Sequence, residues 1–116
     1  MSVPDDPSPA FDGLVRDIAD VPAAEVITTC AVNLMSAAAV KLGLAENGEA
    51  LRDLDEARRL IEALAGLVDG ASGTLSFHAA PVKDGLTSLQ RAFREASRFP
   101  DEPGKGPGEK YTGPVW

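Results

Sequence analysis

Between Pro22 and Gly43 the chain runs for twenty residues with no glycine or proline and with charge only at Glu25 and Lys41. A stretch of this length and character folds as a helix, and the rest of the chain must be arranged around it. Its bulky apolar residues, Val26, Ile27, Leu34, Met35, Val40 and Leu42, do not keep to one narrow face, and Ala31, Ser36, Ala37, Ala38 and Ala39 lie between them. A helix apolar nearly all round is expected to be buried nearly all round. Small side chains let neighbouring helices approach closely, so the sequence predicts a central helix with its own fold on one side and a second subunit on the other. Val26, Leu34, Met35 and Ala38 are the residues expected to carry that self-association. Gly43 ends the helix, because glycine enters the left-handed region at little cost. Length alone would let the segment span a bilayer, but Glu25, Thr28, Thr29, Asn33, Ser36 and Lys41 argue against a membrane helix.

The remaining helices are shorter and more clearly amphipathic. Phe11, Leu14, Val15 and Ile18 form one apolar stripe at spacings of three and four, which predicts a short helix over Ala10–Ala19 that needs docking to be stable. Asp20-Val21-Pro22 then breaks the chain and can restart it, with Asp as cap and Pro in the first turn. Asp53-Leu54-Asp55-Glu56 is an acidic variant of the capping box, with Asp53 bonding the amide three residues on and Glu56 reaching back. The helix it starts carries a seam of Leu54, Ala57, Ile61, Leu64 and Val68, with Asp55/Arg59 and Arg58/Glu62 as i,i+4 pairs on the wet side, and stops at Gly70. Ala71–Ala80 has no clear period and is expected to be a loop with Leu75 and Phe77 tucked inward. A last helix is expected from Pro81 to Arg98, with Val82, Leu86, Leu89, Phe93 and Ala96 as its seam and Pro100 forbidding continuation.

These elements make an all-α protein: a small bundle of three main helices plus a short N-terminal one. The expected organisation is a disordered lead over residues 1–9, a helical domain over 10–99 and a flexible tail over 100–116. A domain of this size has a modest core, so help from a second copy is expected to matter. The net charge of −7 is spread along the chain, with −2 in residues 1–9, −4 in 10–99 and −1 in the tail. A field of that sign repels phosphate backbones and anionic lipid, which speaks against general nucleic-acid or membrane binding. The start MSVPDDPSPAFDG has neither a basic nor an apolar leader region, and a single cysteine cannot close an intramolecular disulfide, so a cytoplasmic location is expected.

No constellation of residues amounts to a catalytic site, and neither cofactor nor metal is expected. Cys30 lies within the most apolar helix, where a thiol is ordinarily a small buried hydrophobe. His78 has no carboxylate motif around it, and no His/Cys cluster offers zinc ligands. Asp53, Asp55 and Glu56 are accounted for by capping and the helix dipole. Arg91, Arg94 and Arg98 recur at helical spacing and have two readings, a contact to RNA or an acidic partner, or a solvated face balanced by Glu95.

The tail, from Pro100 to Trp116, holds four prolines and four glycines, which deny it a helix or a central strand. It nevertheless ends in Tyr111, Val115 and the only tryptophan, Trp116, and a spacer without a role would carry cheaper side chains. A linear docking peptide for a protein partner is the leading reading, with Lys110, Tyr111, Val115 and Trp116 as its contacts; the alternative is a tail folded back on its own domain. Gly104-Lys105-Gly106 is no phosphate loop, since it lacks the preceding strand, the following helix and the Gly-Lys-Ser/Thr end.

The run ITTCAVNLMSAAAVKLGL over Ile27–Leu44, then LDEARRLIEALAGL over Leu54–Leu67, resembles the bacterial family known as domain of unknown function 1844. The carrying features are the Leu42-Gly43 turn and the Leu54, Ala57, Arg58, Ile61, Leu64 pattern; the tail is similar to that of actinobacterial members, while Gly73-Thr74-Leu75 departs from the family's usual turn. The resemblance implies an all-helical cytosolic protein with no assigned activity and no catalytic residues to carry over. Genes of the family neighbour that of translation initiation factor three in actinobacteria, an association that points loosely to the ribosome. The reading of the sequence is therefore a non-enzymatic, self-associating helical interaction module with a docking tail, the alternative being a ribosome- or RNA-associated accessory factor using Arg91, Arg94 and Arg98.

Overall fold

The computed structural model of the chain describes residues 19–75 and 79–116. The expected lead, the short helix over Ala10–Ala19, Phe77 and His78 lie outside the described residues, apart from Ala19 itself. The described part is helical, with α1 at Ala23–Lys41, a 3-10 turn at Gly48–Leu51, α2 at Leu54–Gly70, α3 at Ser72–Leu75, α4 at Ala79–Ala96 and α5 at Glu109–Thr112. Three long helices, α1, α2 and α4, pack pairwise against one another.

Periodicity decides what each helix buries. On α2 the spacing of apolar residues puts Ala57, Ile61, Leu64, Ala65 and Val68 inside, and on α4 it does the same for Val82, Leu86, Leu89 and Phe93. Ala31, Ala38 and Leu42 complete the core from the side of α1. Each wholly buried Ile or Leu here contributes on the order of 2 kcal/mol. Gly85 of α4 faces α1, where a Cβ would collide with Met35 Cε, so its missing side chain is what seats the methionine.

The α1–α2 hairpin is fixed by its turn. Leu44 N–H donates to the Ala39 carbonyl and Gly43 N–H to the Val40 carbonyl, a Schellman arrangement that needs Gly43 at φ +83°. Two further carbonyls at the end of α1 are taken from outside the helix, Lys41 by Asp53 N–H at 2.8 Å and Leu42 by Arg52 Nε at 3.2 Å. Asp53 in turn caps α2, its Oδ1 accepting from Glu56 N–H. The other half of the expected capping box is missing, because the Glu56 carboxylate pairs with Arg59 instead. At the start of α1, Pro22 occupies the cap position without a side-chain bond, so Asp20 does not act as the expected cap.

Several boundaries differ from expectation. The segment after Gly70 holds the helical turn α3, whose Leu75 is wholly buried as expected. α4 begins at Ala79 and ends at Ala96, so Pro81 sits inside its first turn, where a missing N–H costs nothing. Arg58 turns away from Glu62 to Asp101 of the tail.

Candidate interaction surfaces

Two features of this fold could engage other molecules, the outer face of α1 and the C-terminal tail. α1 is not buried all round: of its nineteen residues only Ala31 and Ala38 are wholly buried. Within the one chain α2 and α4 cover only one side of it, the side expected to meet the chain's own fold. Ala38 lies within the chain's own core, and Leu34 and Met35 pack against that core, so three of the four residues expected to carry self-association face inward. Val26 does not; it stands 39% exposed, with Val32 at 48% and Val40 at 37%. Cys30 is exposed as well, a correction that follows from the same open face.

The open face has a definite make-up. Val26, Thr29, Asn33, Ser36 and Val40 recur at steps of three and four and all point outward, flanked by Cys30 and the half-buried Ala37. The Thr29 hydroxyl donates back to the Glu25 carbonyl at 2.9 Å, which leaves its methyl for the surface. No charge falls between Glu25 and Lys41. Among the described residues α1 is also the one helix long and apolar enough to cross a membrane by length and composition, yet its inner side is part of the three-helix core.

The tail is packed, in contrast to the flexible segment that its composition predicts. Glycine and proline rule out long regular structure there, but they do not rule out a fixed irregular one. Asp101 starts the docking, its carboxylate 2.9 Å from Arg58 Nη2 and its carbonyl accepting from Arg94 Nη1 at 2.7 Å. Residues 106–109 are then buried. Gly108 holds φ +75°, and a Cβ on it would collide with Ala65 Cβ of α2. Gln90 of α4, 2% exposed, donates from Nε2 to the Pro107 carbonyl and to Thr112 Oγ1, both at 3.1 Å, while its Oε1 has no partner among the described residues. Glu109 is 6% exposed, and its Oε1 accepts from the backbone N–H groups of Gly104 and Val115, both at 3.0 Å. One carboxylate thereby ties together the two ends of the stretch from Gly104 to Val115.

This placement divides the expected tail contacts. Val115 is buried against the chain itself, Tyr111 lies beside Gly66 of α2, and Lys110 Nζ sits 5.1 Å from the Tyr111 ring centre. Trp116 remains 76% exposed. Between the tail, α2 and α4 an open cleft of about 310 Å³ is lined by Val68, Asp69, Lys83, Leu86, Tyr111 and Thr112. The basic stripe is interrupted: Arg94 holds the Asp101 carbonyl and Arg98 stacks on Phe99 at 5.7 Å, leaving Arg91 exposed. No group of three His, Cys, Asp or Glu side chains gathers among the described residues.

Sequence reasoning missed Gln90 and Glu109. An acid set within Gly-Pro-Gly-Glu is the one signal that could have marked the latter, since an exposed tail has no use for so constrained a turn before a carboxylate.

Comparison with curated proteins and with solved structures finds no match. A family model described as a domain of unknown function, DUF1844, matches residues 23–95, which takes in α1, α2, α3 and nearly all of α4 and stops before the tail. With the match covering well over half of its length, the chain belongs to the DUF1844 family.

Proposed function

We propose that the chain is a non-enzymatic helical interaction module that associates with a second copy of itself through the open face of α1. The observation that carries this is the location of its exposed apolar surface. Of the eight large hydrophobic residues that stand exposed among the described residues, five lie on α1 or in the stretch just after it: Val26, Val32, Val40, Leu44 and Leu51. Val26 and Val40 share the uncharged open face, Val32 stands to one side of it, and exposed apolar side chains on so uncharged a helix support an interaction site.

Electrostatics favours a copy of the same chain over an anionic surface. Copies carrying −7 repel one another wherever their acidic surfaces meet, and can approach only through a face without charge. The run between Glu25 and Lys41 is such a face, and depletion of charge at the centre is what distinguishes stable interfaces from ordinary surface. The tail serves in cis on this reading, as a strap over α2 and α4, with Trp116 its most exposed large side chain. An RNA contact through Arg91, Arg94 and Arg98 is disfavoured by the engagement of Arg94 with Asp101.

Placing a charge on the face tests the proposal. Val40→Glu should shift the chain toward monomer in size-exclusion chromatography with light scattering, with its helical circular dichroism unchanged, whereas Ser88→Glu on exposed α4 surface should leave the mass as it was. A Val40→Glu protein with unaltered mass would refute the assignment of α1 as the interface.

A further inference from the structure

The residues of the open face are nearly symmetric about their midpoint. Seven positions before Asn33 is Val26 and seven after it is Val40; at four and three before it are Thr29 and Cys30, and at three and four after it are Ser36 and Ala37. Large apolar side chains stand at both ends, small ones lie inside, and a single amide marks the centre. In an isologous contact residue i meets j and j meets i, and about a twofold axis at the midpoint this pattern sets large against large and small against small.

Resting on the self-association reading above, we infer that two copies pair α1 against α1 in antiparallel orientation, about a twofold axis at Asn33. Val26 of one copy then lies level with Val40 of the second, and Thr29 meets the small side chains of Ser36 and Ala37. The valines sit about 10 Å from the axis at 1.5 Å per residue and close both ends of the seam. At the axis the two Asn33 side chains face one another, each with an NH2 donor and a carbonyl acceptor, so they can bond reciprocally. Of the seam's three polar residues Asn33 alone carries an amide, and slipping the register would part the two amides, which favours this register. Seam positions repeating at seven residues drift slowly round a straight helix, which suits a shallow crossing of about 20°.

Charge selects the same orientation. In the antiparallel pair each end brings Glu25 of one copy level with Lys41 of the other, whereas a parallel pair sets Glu25 against Glu25 and Lys41 against Lys41. The helix dipoles also oppose one another only when antiparallel. The register separates the two Cys30 residues by ~9 Å along the axis, beyond the reach of a disulfide.

Cysteine cross-linking in the full chain, on a Cys30→Ser background, tests the arrangement. Asn33→Cys should give a disulfide-linked dimer on mild oxidation, and so should the double variant Val26→Cys/Val40→Cys. Neither Val26→Cys nor Val40→Cys alone should do so. A dimer band from Val26→Cys alone would establish parallel pairing and overturn the inference. If light scattering reports a dimer while none of the variants cross-links, the chains do not pair in this register and the inference falls, whereas association through α1 stands or falls separately with the Val40→Glu result. A monomeric mass combined with slow maleimide labelling at position 33 would assign the face to the chain's own residues 1–18 and overturn both readings.

Discussion

At Gly108 even a methyl group has no room. The backbone holds φ +75° and the ideal Cβ position lies in collision with Ala65 Cβ, so strain and overlap act together. Gly108→Ala is expected to cost about 2 to 4 kcal/mol, read as a lowered midpoint in urea denaturation; an unchanged midpoint would mean that the tail does not press on α2. Glu109 offers a finer test. Glu109→Ala strips the acceptor from two backbone N–H groups and should cost about 2 kcal/mol or more, while Glu109→Gln keeps a carbonyl oxygen in place and should cost clearly less. Equal losses for the two variants would show that Oε1 is not what holds Gly104 and Val115. Gly43 was legible in the sequence because it follows a long periodic helix, where a left-handed residue is expected. Gly108 was not, because in a segment without period a glycine reads only as a breaker, and its contact with Ala65 joins residues forty-three positions apart.

Among the elements, α2 was readable to the residue and α4 to within two residues at each end, since their apolar positions recur at three and four and leave one solution for the buried side. α1 was readable as a helix but not in orientation. Its apolar residues surround it, so nothing local distinguished the side that meets α2 and α4 from the side left open. Arg58 illustrates the same limit: local spacing pairs it with Glu62, but the folded chain brings Asp101 to 2.9 Å. The two sides of α1 can be separated by adding volume. Ala38→Leu pushes into a close-packed core and should destabilise the fold by about 1 to 3 kcal/mol. Ser36→Leu on the open face, measured at concentrations low enough for the chain to be monomeric, should stay within about 0.5 kcal/mol of the parent in thermal or urea unfolding. Comparable losses at both positions would mean that the two sides are equally enclosed.

For the molecule as a whole, the strap closes over α2 and α4, while α1 keeps exposed valines on a stretch without charge. Family membership fits that division, because the matched residues end at 95, before the strap that covers α2 and α4 begins. A short acidic chain with a modest core gains stability from a partner that adds burial without bringing in opposed charge, and a second copy meeting it through α1 meets both conditions. Sedimentation equilibrium of the intact chain over a range of concentrations tests this most directly. Self-association through α1 predicts a mass rising toward about 24 kDa, twice the 12.1 kDa of one chain, as concentration increases. A mass that stays at 12.1 kDa throughout would contradict it.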